Sequence, residues 1–205
     1  MSVTKKSWSL ASACCLGIAA LGGGCGGDGS PLDEDYQLSQ GRPGHCTIPA
    51  LSPGGGHGIA DRVQLQEDLR DIDDLQSRYV YAVDAATVNS AKVNDILALL
   101  TDDVCLDFGT YGTFQGKPSV QTFFQTTPRA RAAWSFHVTD NPLLTVNGSD
   151  ATGLWRILAF GVLKADYAAG VQNFFASYHD AFVKTQTGWK IRTIMVGLDT
   201  PPTGP

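Results

Sequence analysis

The stretch "AAWSFHVTDNPLLTVNG", residues 132–148, decides the fold, because it combines a strand with the turn that sends the chain back. The Asn-Gly dipeptide at 147–148 predicts a hairpin turn. Residues 132–140 alternate between two faces, with Trp134, Phe136 and Val138 on one and Ser135, His137 and Thr139 on the other. The face that meets the interior will decide whether His137 lies in a pocket or points outward.

Further strands are predicted downstream of this turn. Residues 151–164 are rich in large apolar side chains, and residues 172–184 and 189–196 follow, with a turn signal at Thr187-Gly188. Long strands joined by short turns form antiparallel sheets. The second half of the chain therefore predicts a curved antiparallel sheet.

The pattern upstream is helical. From Arg62, apolar residues recur at three- and four-residue steps, which predicts an amphipathic helix with acidic residues mostly on its other face; the apolar stripe is Leu65, Leu69, Ile72, Leu75, Tyr79 and Val83. A second helix is predicted over about 89–100, short strands over 104–108 and 111–114, and a third helix over 116–124. The order predicts an α+β fold with three N-terminal helices over one face of the sheet.

The composition is that of an ordinary soluble domain. The 205 residues are 43% hydrophobic and 17% charged, with a net charge of −5. No basic patch stands out, so nucleic acid is not an expected partner. The sequence shows no phosphate loop, nucleophile elbow or metal constellation, and we expect neither a cofactor nor a metal.

The first 61 residues are predicted to lie outside the folded domain. Lys5 and Lys6 precede a short apolar run and "LGGGCGGDGS", which is similar to a bacterial lipoprotein signal over residues 1–25 with Cys25 as the lipidated residue. A competing site at Cys14 and a cleaved secretory signal are the alternatives. Residues 26–61 form a predicted flexible tether, 62–197 the domain and 198–205 a disordered tail. The protein is therefore expected in the cell envelope, lipid-anchored outside the cytoplasm, or else secreted.

Two cysteines remain in the predicted mature chain, Cys46 in the tether and Cys105 in a strand. In an oxidising compartment they could pair and fasten the tether to the domain. The alternative, which the sequence slightly favours, is a buried Cys105 and an unpaired Cys46.

Four segments carry a resemblance to a known family. They are "DLQSRYVYAVDAATVN…ILALLTDDVCLDF", "GTFQGKPSVQTFF", "SFHVTDNPLLTVNGSDATGLWR" and "YHDAFVKTQTGWKIR". In their order and spacing they resemble the SnoaL-like branch of the nuclear transport factor 2-like superfamily, whose fold is an α+β cone. The resemblance covers about residues 62–197. It implies a cavity between the helices and the concave face of the sheet, and a homodimer through the outer face.

The resemblance also implies candidate catalytic residues. In the dehydratase and cyclase branches, a tyrosine late in the first helix, an aspartate five residues on and a strand histidine line the cavity; they match Tyr79, Asp84 and His137. Imidazole can exchange a proton near neutral pH, a carboxylate would orient it, and a tyrosine could stabilise a developing oxyanion. Residues five apart on a helix point about 140° apart, so Asp84 joins Tyr79 only if the helix ends before it.

Asp180 is a fourth candidate. It matches the acid that, with the tyrosine matched by Tyr79, forms the oxyanion hole of ketosteroid-type isomerases. A carboxylic acid in an apolar cavity can stay protonated and donate a hydrogen bond. This chain has Phe108 where those isomerases carry their catalytic base, which argues against isomerisation by the same mechanism.

Two hypotheses about function remain open. The first is a cofactor-independent dehydratase, cyclase or isomerase, and the second is a non-catalytic ligand-binding or scaffold lipoprotein, because the family contains both. Either would bind a small hydrophobic or polycyclic molecule. The aromatic residues expected to line its cavity are Trp134, Phe136, Trp155, Phe174 and Phe182.

Overall fold

The protein is described by a computed structural model that covers residues 46–56 and 58–198. The predicted signal peptide with Cys25, most of the predicted tether and residues 199–205 lie outside the described residues. Within the described ranges, none of the helices has the length and apolar character that crossing a membrane requires.

Three helices precede or interrupt the sheet: α1 (Ile59–Val88), α2 (Val93–Leu99) and α3 (Gly116–Arg131). The predicted stripe of α1 is confirmed, since Ile72, Leu75, Tyr79 and Val83 are buried. Helix α1 begins inside the segment predicted as tether. Helix α3 continues seven residues beyond its predicted end and contains Pro128, and residues of its last turns line a cavity.

Six strands form one sheet: β1 (Leu100–Asp107), β2 (Thr113–Gln115), β3 (Ala132–Asn147), β4 (Asp150–Leu163), β5 (Val171–Thr185) and β6 (Gly188–Leu198). Their order is β2-β1-β6-β5-β4-β3. Every neighbouring pair is antiparallel except β1 and β6, which are parallel. The predicted α+β fold is confirmed, and the parallel pair makes the sheet mixed, because α3 and the long hairpins separate β1 from β6 in the chain.

The turn between β3 and β4 lies one residue later than the Asn-Gly pattern predicts. Asn147 pairs with Asp150, so Gly148 and Ser149 are the central turn residues. Gly148 has φ of +62° and Ser149 has a negative φ, which is the pattern of a type II′ turn with glycine in its first central position. This turn sets the pairing that places His137 opposite Ala159.

Asp68 fastens α1 to the far end of the sheet. It belongs to the acidic residues expected on the solvent face of the helix, and that expectation is wrong for this residue, which is buried. Its Oδ1 accepts hydrogen bonds from Trp189 Nε1 at 2.9 Å and from Lys184 Nζ. These donors come from β5 and β6, so the helix pattern alone could not reveal them.

Cys46 and Cys105 form a disulfide, so the expectation of two unpaired thiols is wrong. The bond joins residues 59 positions apart, and nothing in that spacing indicates a pair. The segment that follows Cys46 reaches β3, where Gly54 N donates to Val146 O at 2.9 Å. The disulfide therefore fastens a segment that spans the sheet from β1 to β3.

Removing this disulfide should destabilise the domain. Closing a loop of 59 residues restricts the unfolded chain, which is worth about 4 kcal/mol in the chain-entropy treatment. We expect Cys46→Ser with Cys105→Ser, or reduction of the wild type, to lower the melting temperature by roughly 10 °C. Circular dichroism melts with and without reductant measure the change. The double variant is the control, because reductant should not affect it, and equal melting temperatures throughout would contradict the prediction.

Candidate functional site

A cavity of about 240 Å³ lies between the concave face of the sheet and helices α1 and α3. Most of its lining is apolar. The polar groups that line it come from β3, from β5 and from the helices; they are Tyr79, Thr87, Tyr111, Thr127, Arg131, Ser135, His137 and Tyr178. A concave apolar pocket with a few converging polar groups is the usual form of a small-molecule site.

The alternation along β3 places His137 on the cavity side. Ser135 and His137 line the cavity, whereas Trp134 and Phe136 are 40% and 46% exposed on the outer face. The expectation that Trp134 and Phe136 line the cavity is therefore wrong. Their direction follows from the strict two-residue period of the strand.

The other three aromatic residues expected in the lining divide between cavity and core. Phe174 lines the cavity. Trp155 and Phe182 are fully buried and pack edge-to-face at 5.7 Å, outside the cavity lining. Other aromatic walls come from helix α3, through Phe123 and Phe124, and from Phe108, which follows β1. Apolar character in a sequence does not separate core from cavity wall, because both are shielded from water.

Asp84 and His137 form a close pair at the cavity. His137 Nδ1 lies 2.6 Å from Asp84 Oδ1, and the His137 backbone N–H donates to Asp84 Oδ2 at 2.9 Å. The Ser135 hydroxyl donates to Asp84 Oδ1 at 2.9 Å, and it lies 3.0 Å from the hydroxyl oxygen of Thr87. The carboxylate is thus held by three donors from one strand.

This pairing fixes the chemistry of the imidazole. With a proton on Nδ1 shared with the carboxylate, Nε2 carries the lone pair. Both side chains are largely buried, with 20% and 17% of their surfaces exposed for His137 and Asp84. A carboxylate so placed orients the ring and stabilises it once Nε2 has taken a proton. The pair can act as a general base towards a ligand in the cavity.

The structure brings Asp84 to His137 but not to Tyr79. Helix α1 continues to Val88, so Asp84 does not end it, and the condition for Asp84 to join Tyr79 is not met. Tyr79 lines the cavity, yet its hydroxyl is buried and has no hydrogen-bond partner among the described residues. The predicted trio is therefore divided into a histidine–aspartate pair and a separate tyrosine.

Tyr79 belongs to a buried polar cluster with Gln76, Tyr178 and Asp180. Its ring packs edge-to-face on Tyr178 with centroids 6.0 Å apart. Burial raises the pKa of Asp180 well above the usual aspartate range; the nearby Gln76 amide opposes this increase, although no hydrogen bond of good geometry joins them. Burial, aided by Asp180, also raises the pKa of Tyr79 and Tyr178. At neutral pH these are neutral O–H groups.

Tyr178 is a cavity residue that was not among the candidates predicted from the sequence. It lies two residues before Asp180 on β5 and so shares its face, and it lines the cavity with His137. Because Asp180 was a candidate, the alternation along β5 could have indicated Tyr178 as well. Its apolar ring and its place in a strand gave no reason to distinguish it from core residues.

No group of three or more histidine, cysteine or acidic side chains within the described ranges is arranged to hold a metal ion. What the described cavity offers is a base, a neutral hydroxyl donor and apolar walls.

Comparisons with solved structures show the same fold in other proteins. One match is a nuclear transport factor 2-like protein with a cystatin-like fold from Novosphingobium aromaticivorans, with 19% identity, a TM-score of 0.60, and 73% of this chain and 95% of that chain covered. A candidate scytalone dehydratase from the same species matches at 15% identity and a TM-score of 0.58, covering 69% and 89%.

A hexachlorocyclohexane dehydrochlorinase from Novosphingobium barchaimii matches at 18% identity and a TM-score of 0.58, covering 72% of this chain and 97% of that one. A search of curated protein sequences returns no match. The family described as the SnoaL-like domain matches residues 64–194, which is most of the chain and nearly all of the described fold. This chain therefore belongs to the SnoaL-like domain family.

Proposed function

We propose that the protein is a cofactor-independent lyase that removes a proton from carbon and eliminates a leaving group from a small, largely apolar molecule. The observation that carries this proposal is the Asp84–His137 pair at the cavity, with 2.6 Å between Oδ1 and Nδ1. A histidine oriented by a buried carboxylate inside an apolar pocket is the arrangement that general-base catalysis requires.

The proposed reaction balances without a cofactor. His137 Nε2 takes a proton from a carbon of the ligand, and the electrons of that C–H bond form a C=C bond as the leaving group departs with its own bonding pair. Asp84 stabilises the imidazolium that results. The hydroxyl of Tyr178, which lines the same cavity, donates a hydrogen bond to the oxygen or leaving group that gains negative charge.

The solved structures with this fold support the choice of reaction class. The names of two of them describe loss of water from scytalone and loss of hydrogen chloride from hexachlorocyclohexane. Both are eliminations from a small ring. We infer that this chain also acts on a small cyclic molecule, of a size that suits a cavity of about 240 Å³.

The pair can be tested by removing each member. We expect His137→Ala and Asp84→Asn each to lower the rate of elimination about 10²- to 10⁴-fold, because each removes the oriented base. The assay measures ultraviolet absorbance and chloride release with a panel of hydroxylated and halogenated ring compounds that includes scytalone and hexachlorocyclohexane. Asp140→Asn, the same change at an exposed position of β3, is the control.

Turnover that survives both substitutions would exclude the pair as the base. Binding of panel compounds without any turnover by the wild type would instead favour the second function, a non-catalytic ligand-binding or scaffold protein of the cell envelope. The observation that favours this alternative is the lipoprotein-like start of the chain together with the disulfide.

We also propose that the protein works outside the cytoplasm. The Cys46–Cys105 disulfide supports an oxidising compartment, where such bonds persist. The sequence up to Cys25 supports a lipid anchor. The intact mass of the protein extracted from membranes tests this, since an unmodified chain that retains residues 1–24 would rule the anchor out.

We further propose a homodimer through the outer face of the sheet. Trp134 and Phe136 stack there with centroids 6.2 Å apart, Phe136 also lies against Phe160, and Val138 and Phe175 are exposed beside them. An apolar patch of this kind marks an interface, and it borders β3, an edge strand. A second copy presents the same patch, so the surface is self-complementary.

Phe136→Glu should therefore convert a dimer into a monomer, because it would bury an unpaired charge in the interface. Light scattering after size-exclusion chromatography gives the molar mass. Tyr81→Glu, at an exposed aromatic on α1, is the control and should leave the mass unchanged. A wild-type monomer at all concentrations would refute the dimer.

The protonated state of Asp180 can be tested through stability. The pKa of the Asp180 carboxyl group is raised in the folded protein. Above about pH 4 the native protein therefore keeps the proton of this carboxyl group, whereas the unfolded chain, in which its pKa is near 4, has lost it. Burial of Asp180 therefore destabilises the protein increasingly as pH rises above about 4. We expect Asp180→Asn to gain stability relative to wild type from pH 4 to 8 in urea titrations. If the stability difference between the variant and the wild type did not change with pH, the pKa of Asp180 would not be raised in the native protein.

A further inference from the structure

Arg131 is the one permanently charged side chain that lines the cavity in the described part of the chain. It is the last residue of α3 and stands at the exposed rim, beside Ala132 at the start of β3. The described lining contains no carboxylate. The charge of Arg131 is therefore not balanced by the cavity walls.

The guanidinium is held in place without using its hydrogen-bond donors. Its Cζ lies 4.8 Å from the ring centroid of Tyr111, which also lines the cavity. A cation over an aromatic face is attracted to the ring without using its N–H donors. No ion pair or side-chain hydrogen bond recorded among residues 46–56 and 58–198 involves Arg131.

Comparison with Arg129 shows that a place in the last turn of α3 does not by itself bring an arginine to the cavity. A cation in the last turn of α3 is favoured by the helix dipole, and Arg129 also meets that preference. Arg129 Nη1 donates to the carbonyl oxygen of Ala86 at 3.4 Å and does not line the cavity. Arg131 instead presents an oriented, unpaired planar cation to the space that a ligand would fill.

We propose that Arg131 binds an anionic oxygen group, a carboxylate or a group of similar shape, at one end of an otherwise apolar ligand. This rests on the proposed function only in requiring that the cavity binds a small apolar molecule. Guanidinium and carboxylate form paired, charge-assisted hydrogen bonds, which gain strength at the rim of an apolar pocket. The ligand class is thus an amphiphilic acid rather than a neutral hydrocarbon.

The position of Arg131 places the binding of the anionic group away from the proposed proton transfer at His137. Along an extended strand at about 3.3 Å per residue, the backbone of Ala132 lies roughly 16 Å from that of His137. Both side chains line the same cavity, so the ligand extends between them. The anionic group is held at the rim, and the carbon that loses its proton lies deeper, beside His137.

Two probes of equal shape and different charge test the proposal. 2-Naphthoate and 2-naphthamide share a ring system, and only the first carries a charge. We expect the wild type to bind naphthoate at least about fivefold more tightly by calorimetry at about pH 8, where the naphthoate carboxyl group is ionised. Arg131→Gln should abolish this preference by weakening naphthoate alone. Arg129→Gln, the same change two residues away, should preserve it.

The outcomes distinguish this proposal from the proposed reaction. The preference is an equilibrium property, so His137→Asn should retain it even though that variant lacks the proposed base. Equal binding of the two probes by the wild type, no binding of either, or a preference that survives Arg131→Gln would each overturn the assignment of Arg131. Loss of the preference in His137→Asn would assign the anion to His137 instead.

Discussion

The carboxylate of Asp84 is the constraint on which the site depends. It projects from the last turns of α1 and accepts hydrogen bonds from Ser135, from the His137 backbone and from the His137 ring, all on β3. One side chain therefore sets the position of helix against strand and the orientation of the imidazole. Burying this carboxylate would be unfavourable without these donors, so the same bonds that permit its burial also create the base.

The described site combines two kinds of polar group, one partly exposed and one fully buried. Asp84 and His137 form a hydrogen-bonded pair with partial access to solvent. Deeper in the fold, Asp180 and Tyr79 have no hydrogen-bond partners among the described residues, and burial favours their neutral forms. The site thus places a base beside neutral hydroxyl groups, which is the separation of roles that acid–base chemistry on one ligand needs.

Much of the fold could be predicted because its elements follow local periodicity. The apolar stripe of α1 and the two faces of β3 were both evident in the sequence, and each has the role that its period indicates. The candidate residues were less predictable. Tyr79 and Asp84 were expected together, but a continuous helix points them in different directions. Tyr178 shares the face of Asp180, but nothing in the local sequence distinguished a cavity tyrosine from a core one.

Other features depend on contacts between distant segments. The Cys46–Cys105 disulfide and the hydrogen bond from Trp189 to the buried Asp68 each join residues far apart in the chain. The spacing of these residues in the sequence does not predict either contact. Arg131 is similar, since only the fold places it over Tyr111 at the rim of the cavity. Helix α3 also extends through Pro128, against the local preference of proline.

The sequence by itself determined the α+β order and the two-faced strand of residues 132–140, because these depend on periods of two and 3.6 residues. The order and spacing of four segments carried the family resemblance. Only the tertiary structure decided that Ser135 and His137, not Trp134 and Phe136, meet the cavity. Alternation states that two faces exist, but the choice between them depends on which face the helices cover. Here the hydrogen bonds of Asp84 on α1 join the helix to the His137 face.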